Sequence, residues 1–228
     1  MSETSGWASD PFFFTEAARG GPWVWHPGDP GFAGEPLGPV RHVHDDAGEY
    51  YYMYRGAGIV ETGGQEFVLE EGQLGYIPPD APHNFLGPAE DEDACLFCVI
   101  APNFPQSKWR VKDFLPGSES LRMAVATPFV DDELPGGDTL AAHALELAPG
   151  APPRELTPAG FEVVYLVVEG ALELALHGGL HGTIAAGTYV HVRDGMRHEL
   201  GSAEGCRVLR MDCAFAAWSG VETAGDAA

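Results

Sequence analysis

Basic residues are scarce. The 228-residue chain holds 12 Lys+Arg against 34 Asp+Glu, for a formal net charge of -22, and Lys108 and Lys112 are its only lysines. Such an acidic surface repels a polyanion, so nucleic acid is not an expected partner. Anionic lipid is disfavoured for the same reason. Long apolar runs are missing as well. Stretches such as Val163 to Val168 fall far short of the roughly 20 residues needed to span a bilayer. The opening Met-Ser-Glu-Thr-Ser-Gly has neither a basic nor an apolar leader segment, so no secretory signal is expected. Cysteine is sparse, at Cys95, Cys98, Cys206 and Cys213. In a chain of this length that usage fits reduced thiols and a cytoplasmic location better than disulfide staples. Cys95 and Cys98 have CxxC spacing, but Ala94 to Ile100 reads as a buried strand. Side chains at i and i+3 of a strand point to opposite faces, so two core thiols are expected and not a shared zinc.

What the chain does have is turn chemistry and apolar mass. Hydrophobic residues make up 45% and aromatics 11%, enough for a sizeable core, and 30 Gly and 19 Pro are spread along the whole length. Short β-branched and aromatic runs between turn signals predict an all-β protein of sandwich or barrel type. The two halves repeat. Gly56-Ala-Gly-Ile-Val followed by Gly72 and Pro78-Pro-Asp-Ala-Pro-His83 parallels Gly170-Ala-Leu-Glu-Leu followed by Gly187 and Arg193-Asp-Gly-Met-Arg-His198. The offset is 114 at Gly56/Gly170 and 115 at Gly72/Gly187 and His83/His198. A repeat of that size means two copies of one domain. Expected boundaries are 1–20 for an N-terminal arm, 21–105 and 139–216 for the two domains, 106–138 for a linker, and 217–228 for an acidic tail. The linker is expected to hold a short helix or a crossing strand.

One constellation carries chemistry. His42 and His44 are two apart, which on a strand puts both imidazoles on one face. The turn-prone Asp45-Asp46-Ala47-Gly48 follows, and Glu49 opens the next strand. His83 closes a separate turn and could complete the set from a third strand. Three imidazoles and a carboxylate suit Fe(II), Mn(II), Co(II), Ni(II), Cu(II) or Zn(II), and suit Ca(II) or Mg(II) poorly. Four protein ligands leave coordination positions open for substrate or dioxygen. If Glu49 points inward, alternation turns Tyr51 and Met53 inward and Tyr50, Tyr52 and Tyr54 outward, while Phe85 shares the face of His83. Tyr51, Met53 and Phe85 are then either pocket walls or plain core, with the Tyr51 hydroxyl available as a donor or acid. Parity also turns Arg55 inward near the strand's far end, where it and Arg41 could steer an anion. The outward tyrosine stripe needs a cover: the N-terminal aromatic segment, the other domain, or a second copy in a homodimer.

The pattern His-x-His-x4-Glu-x6-Gly at His42, His44, Glu49 and Gly56 resembles the first motif of the cupin superfamily. Gly72-x5-Pro78-x-Asp80-x2-His83 resembles the second, with Asp80 where Gly is usual and Gly87 where Asn is usual. The resemblance covers both halves and so implies a bicupin, with two antiparallel β-barrels of the jelly-roll type. It implies one divalent transition metal held in the first barrel by His42, His44, Glu49 and His83. The second half departs from the pattern. Glu49 maps to Val163, the two leading histidines map to Leu156 and Pro158, and only His198 keeps its place. Glu162 is one residue off, and a one-residue slip turns a strand side chain to the opposite face. A second metal is not expected.

Three functions are open at this point. The first is a metal-dependent oxygenase for a small enolic or aromatic substrate, as in the quercetinase-like cupins, with Glu49 and Tyr51 catalytic and Tyr51, Met53 and Phe85 against the substrate. The second is a non-redox isomerase, lyase or decarboxylase. The third is a non-catalytic small-molecule binder.

Overall fold

The computed structural model describes residues 13–14, 17–26, 42–44, 46–102 and 120–215. Arg41, Lys108, Lys112 and the acidic tail lie outside the described residues. The first half forms β1 (Phe13–Phe14), β2 (Arg19–Trp25), β3 (Gly48–Arg55), β4 (Gly58–Thr62), β5 (Gln65–Leu69), β6 (Leu74–Ile77), β7 (His83–Pro88) and β8 (Ala94–Ala101). Among the described residues between the halves there is one short strand, β9 (Ala124–Ala126), which pairs with β6 at the edge of the first-half sheet. The second half forms β10 (Leu140–Leu147), β11 (Arg154–Leu156), β12 (Phe161–Leu176), β13 (His181–Ala185), β14 (Tyr189–Val192), β15 (His198–Gly201) and β16 (Cys206–Ala214). Among the described residues no helix is long and apolar enough to cross a membrane. The protein is all-β, as its turn-rich composition predicts.

In the first half a sheet of order β1-β2-β8-β3-β6-β9 faces a smaller one of order β5-β4-β7. In the second, β10-β16-β12-β15-β11 form one path, and β13 and β14 also pair with β12. Every pairing is antiparallel, which is what short connections between strands impose. Both halves turn a tight corner at the repeated glycine. Gly56 and Gly170 have φ of 73° and 76°, and a Cβ on either would lie 2.4 Å from Asp93 O or 2.3 Å from Gly205 O. Only glycine fits there, which explains the repeat at the level of single atoms.

Alternation along β3 and β8 sorts the core into two faces. Tyr51, Met53, Leu96, Cys98 and Ile100 pack with Val60, Leu69, Ile77 and Phe85 inside the first half. Tyr50, Tyr52, Cys95, Phe97 and Val99 point the other way and pack against Leu140, Val164, Leu166, Leu209 and Met211. The tyrosine stripe is therefore covered by the second half. The interior of that half is a third cluster, built around Val163, Tyr165, Val167, Leu172 and Val208.

Burial holds the hydroxyls of these tyrosines protonated. It raises the Tyr50, Tyr51 and Tyr165 phenols above their ordinary range and Tyr52 to about 12. A phenol with a raised folded pKa stabilises the fold fully below pH ~10, where the unfolded side chain is also neutral, and loses that contribution as pH climbs toward the folded value. The urea midpoint is therefore expected to fall steadily from pH 10 to 12. Each of the four phenols contributes on the order of 1.4 kcal/mol per pH unit to that fall. A midpoint that stays flat across this window would show that the phenols are solvated.

Candidate metal centre

The Pro78 to His83 turn is docked by its backbone. Asp80 N donates to His44 O at 2.9 Å. Asp80 has φ 61°, the left-handed region that aspartate tolerates better than most residues, so the motif survives without its usual glycine. His42 and His83 then form an isolated antiparallel bridge, with His42 N donating to His83 O at 3.0 Å and His83 N to His42 O at 2.9 Å. The bridge sets the two imidazoles side by side, with ring centroids 4.3 Å apart. His44 follows on the same face at 4.9 Å from His42 and 5.2 Å from His83. Glu49 enters from the start of β3.

His42, His44, Glu49 and His83 come together, and each offers a ligand atom within 4.8 Å of the others. All four are buried. Glu49 Oε2 lies 2.8 Å from His83 Nε2 and 3.1 Å from His44 Nε2. Burial pushes the Glu49 carboxyl upward, but contact with His44 and His83 outweighs it and holds the group well below the ordinary carboxylate range.

The donor set itself tests whether a cation fits. His83 Nδ1 is 2.8 Å from Ala81 O, and a carbonyl can only accept, so Nδ1 carries the proton. Nε2 then lies 2.8 Å from a carboxylate oxygen, a spacing that calls for positive charge between the two atoms, supplied by a proton or by a metal ion. A metal ion bound by both atoms takes the place of that proton. The four residues fit a divalent transition metal.

The surrounding walls follow the expected parity. The Tyr51 ring lies 6.4 Å from His83 and 6.1 Å from Phe85, and Met53 is fully buried beside them. The Tyr51 hydroxyl is buried without a hydrogen bond of ordinary geometry. Burial first, then the nearby Glu49 and Cys98, keep it protonated. Arg55 departs from the parity expectation. A register shift between Met53 and Arg55 breaks the alternation, and Arg55 ends exposed, 3.6 Å from Asp93.

Two polar groups near these centres are not apparent in the motifs. The Cys98 thiol donates to Glu49 Oε1 at 3.0 Å. In the second half, Arg210 makes two hydrogen bonds to Asp212, at 2.6 and 2.7 Å, on the face of β16 that looks toward Tyr165. His198, the counterpart of His83, donates from Nδ1 to Met196 O at 2.8 Å and lies 2.7 Å from the Tyr165 hydroxyl through Nε2. Burial lowers its pKa, so the neutral ring spends its lone pair on that hydroxyl. Glu162 faces away from His198 and pairs with His191 at 2.8 Å.

The family model for a cupin domain matches residues 29–100. No curated protein sequence matches the chain. Among solved structures, the Ylba protein of E. coli aligns at TM-score 0.67 and 15% identity, over 93% of this chain and 84% of its own. Salicylate 1,2-dioxygenase of Pseudoaminobacter salicylatoxidans, crystallised as adducts with gentisate, aligns at TM-score 0.64 and 14% identity, over 87% and 68%. At such identity the likeness speaks for the fold alone. This chain carries a cupin domain over residues 29–100, and the metal-type cluster lies inside that segment.

Proposed function

We propose that the protein is a bicupin oxygenase acting on a small enolic or phenolic substrate in the first barrel. The domains are 21–105 and 139–216, the second retained without a metal. The observation that carries the reading is the buried cluster of His42, His44, Glu49 and His83 beside an apolar and aromatic wall. A divalent, redox-active metal held by those four residues supplies a centre at which an enolate and dioxygen can meet. Met53 and Phe85 exclude water from the substrate's ring or chain. Tyr51, held neutral, donates a hydrogen bond to a substrate oxygen and does not act as a base near pH 7. Glu49 stays a carboxylate and takes no proton. The dioxygenase among the structural neighbours supports oxygen chemistry as compatible with this fold. Four free, buried thiols support a reducing compartment, hence the cytoplasm.

A neutral tyrosine beside a carboxylate also suits proton relocation in an isomerase or lyase, and oxygen consumption separates the two. Protein loaded with iron, manganese, nickel or cobalt is expected to hold close to one equivalent. It should release that metal on dialysis at pH 4, because imidazoles protonate around ~6.5. Loaded protein in an oxygen electrode with a panel of enols and phenols is expected to consume oxygen with at least one of them. Turnover without oxygen uptake selects the isomerase or lyase reading. Purified protein that takes up no transition metal selects a binding module.

A further inference from the structure

Glu49 is held from two sides. The β3–β8 register pairs Glu49 with Ile100 and Tyr51 with Cys98, so Glu49 and Cys98 are diagonal neighbours on one inner face. Cys98 donates to Oε1 at 3.0 Å. Oε2 is the oxygen facing the imidazoles, 2.8 Å from His83 and 3.1 Å from His44. The two oxygens thus have separate partners. We propose that Cys98 is a positioning residue: its thiol engages Oε1 so that Glu49 presents Oε2 alone to the metal ion. The inference rests on the metal reading given under Proposed function. One-oxygen ligation leaves a coordination position free that a carboxylate bound through both oxygens would fill, and substrate needs that position.

The second half bears on the same point. There Tyr165 pairs with Arg210 and Val163 with Asp212, in the places of the Tyr51–Cys98 and Glu49–Ile100 pairs. Where the ligand carboxylate is absent, the thiol is absent too. If Cys98 were only core filling, an apolar side chain would serve equally in both halves. A thiol is a weak donor, but Oε1 is buried, and removing its partner leaves a charged oxygen unsatisfied and free to swing toward the ion.

Cobalt(II) titration of the full-length wild type, Cys98→Ser, Cys98→Ala and Cys98→Val, followed by visible absorption, tests this. Serine keeps an O–H donor, alanine removes it, and valine removes it while filling the space. Cys98→Ala and Cys98→Val are expected to bind cobalt about 10-fold to 100-fold more weakly and to show a changed cobalt spectrum. Cys98→Ser should stay close to wild type in both. Should Cys98→Ala not fold, the valine and serine variants carry the comparison. Wild-type affinity and spectrum in Cys98→Val would overturn the inference in favour of packing. An intense sulfur-to-cobalt charge-transfer band in the wild type would overturn it in favour of direct thiolate ligation. A wild type that binds no cobalt would overturn the metal reading itself, and the inference with it.

Discussion

Replacing His83 with Ala is expected to strip the metal from the protein and to destabilise it even when no metal is present. Removing one of four ligands should cost more affinity than the 10-fold to 100-fold typical of a supporting residue, so metal content falls from about one equivalent to near zero and turnover falls with it. The second loss is electrostatic. Glu49 is a buried carboxylate whose low pKa depends on His44 and His83, and breaking a buried pair by deleting one partner costs about 3–5 kcal/mol. Glu49→Gln separates the two effects. Its amide N–H can donate to the His83 Nε2 lone pair, so the metal-free fold should keep close to wild-type stability while metal binding is lost. Urea denaturation of chelator-treated protein checks the first quantity, and elemental analysis of loaded protein checks the second. Equal stability of both variants without metal would mean that Glu49 is not charged in the fold.

How far the sequence reaches can be judged from individual residues. The histidine pair and Glu49 were legible from their spacing, although His42 forms only an isolated bridge and His44 lies outside the named strands, and the turn before His83 was legible because proline and aspartate restrict the backbone. The Tyr50/Tyr51 alternation followed for the same local reason. Cys98 was legible only in part. Its opposition to Cys95 is local geometry, but its contact with Glu49 depends on pairing between β3 and β8, strands nearly fifty residues apart whose register nothing local specifies. Arg210 was hidden by the repeat itself. Tyr165 sits 114 after Tyr51, yet its partner Arg210 comes only 112 after Cys98, so projecting the first half forward at a constant offset misses it. Arg55 was misplaced because a β-bulge leaves no mark in composition. The cover over the tyrosine stripe was one of three candidates until the core clusters joined the two halves.

That join leads to the other large effect. Phe97 is fully buried on the face of β8 opposite Cys98, with its ring 5.0 Å from Tyr189 of the second half. Tyr50, on the same layer, donates to Pro135 O at 2.5 Å. Truncating a buried aromatic costs about 3–5 kcal/mol, which for a chain of this size lowers the melting temperature by roughly 6–20 °C. Phe97→Ala is therefore expected to be among the least stable single variants of this protein. It should nevertheless bind metal with wild-type stoichiometry at low temperature, because Leu96, Cys98 and Ile100 keep the inner face of β8 intact. Glu49→Gln is expected to do the reverse, losing the metal while keeping the metal-free fold. Calorimetry of both variants, with metal content measured on the same samples, tests whether the two faces of one strand carry separable roles. If Phe97→Ala lost its metal while still folded at 10 °C, the site would depend on the second half as a structural support, and the two faces would be coupled.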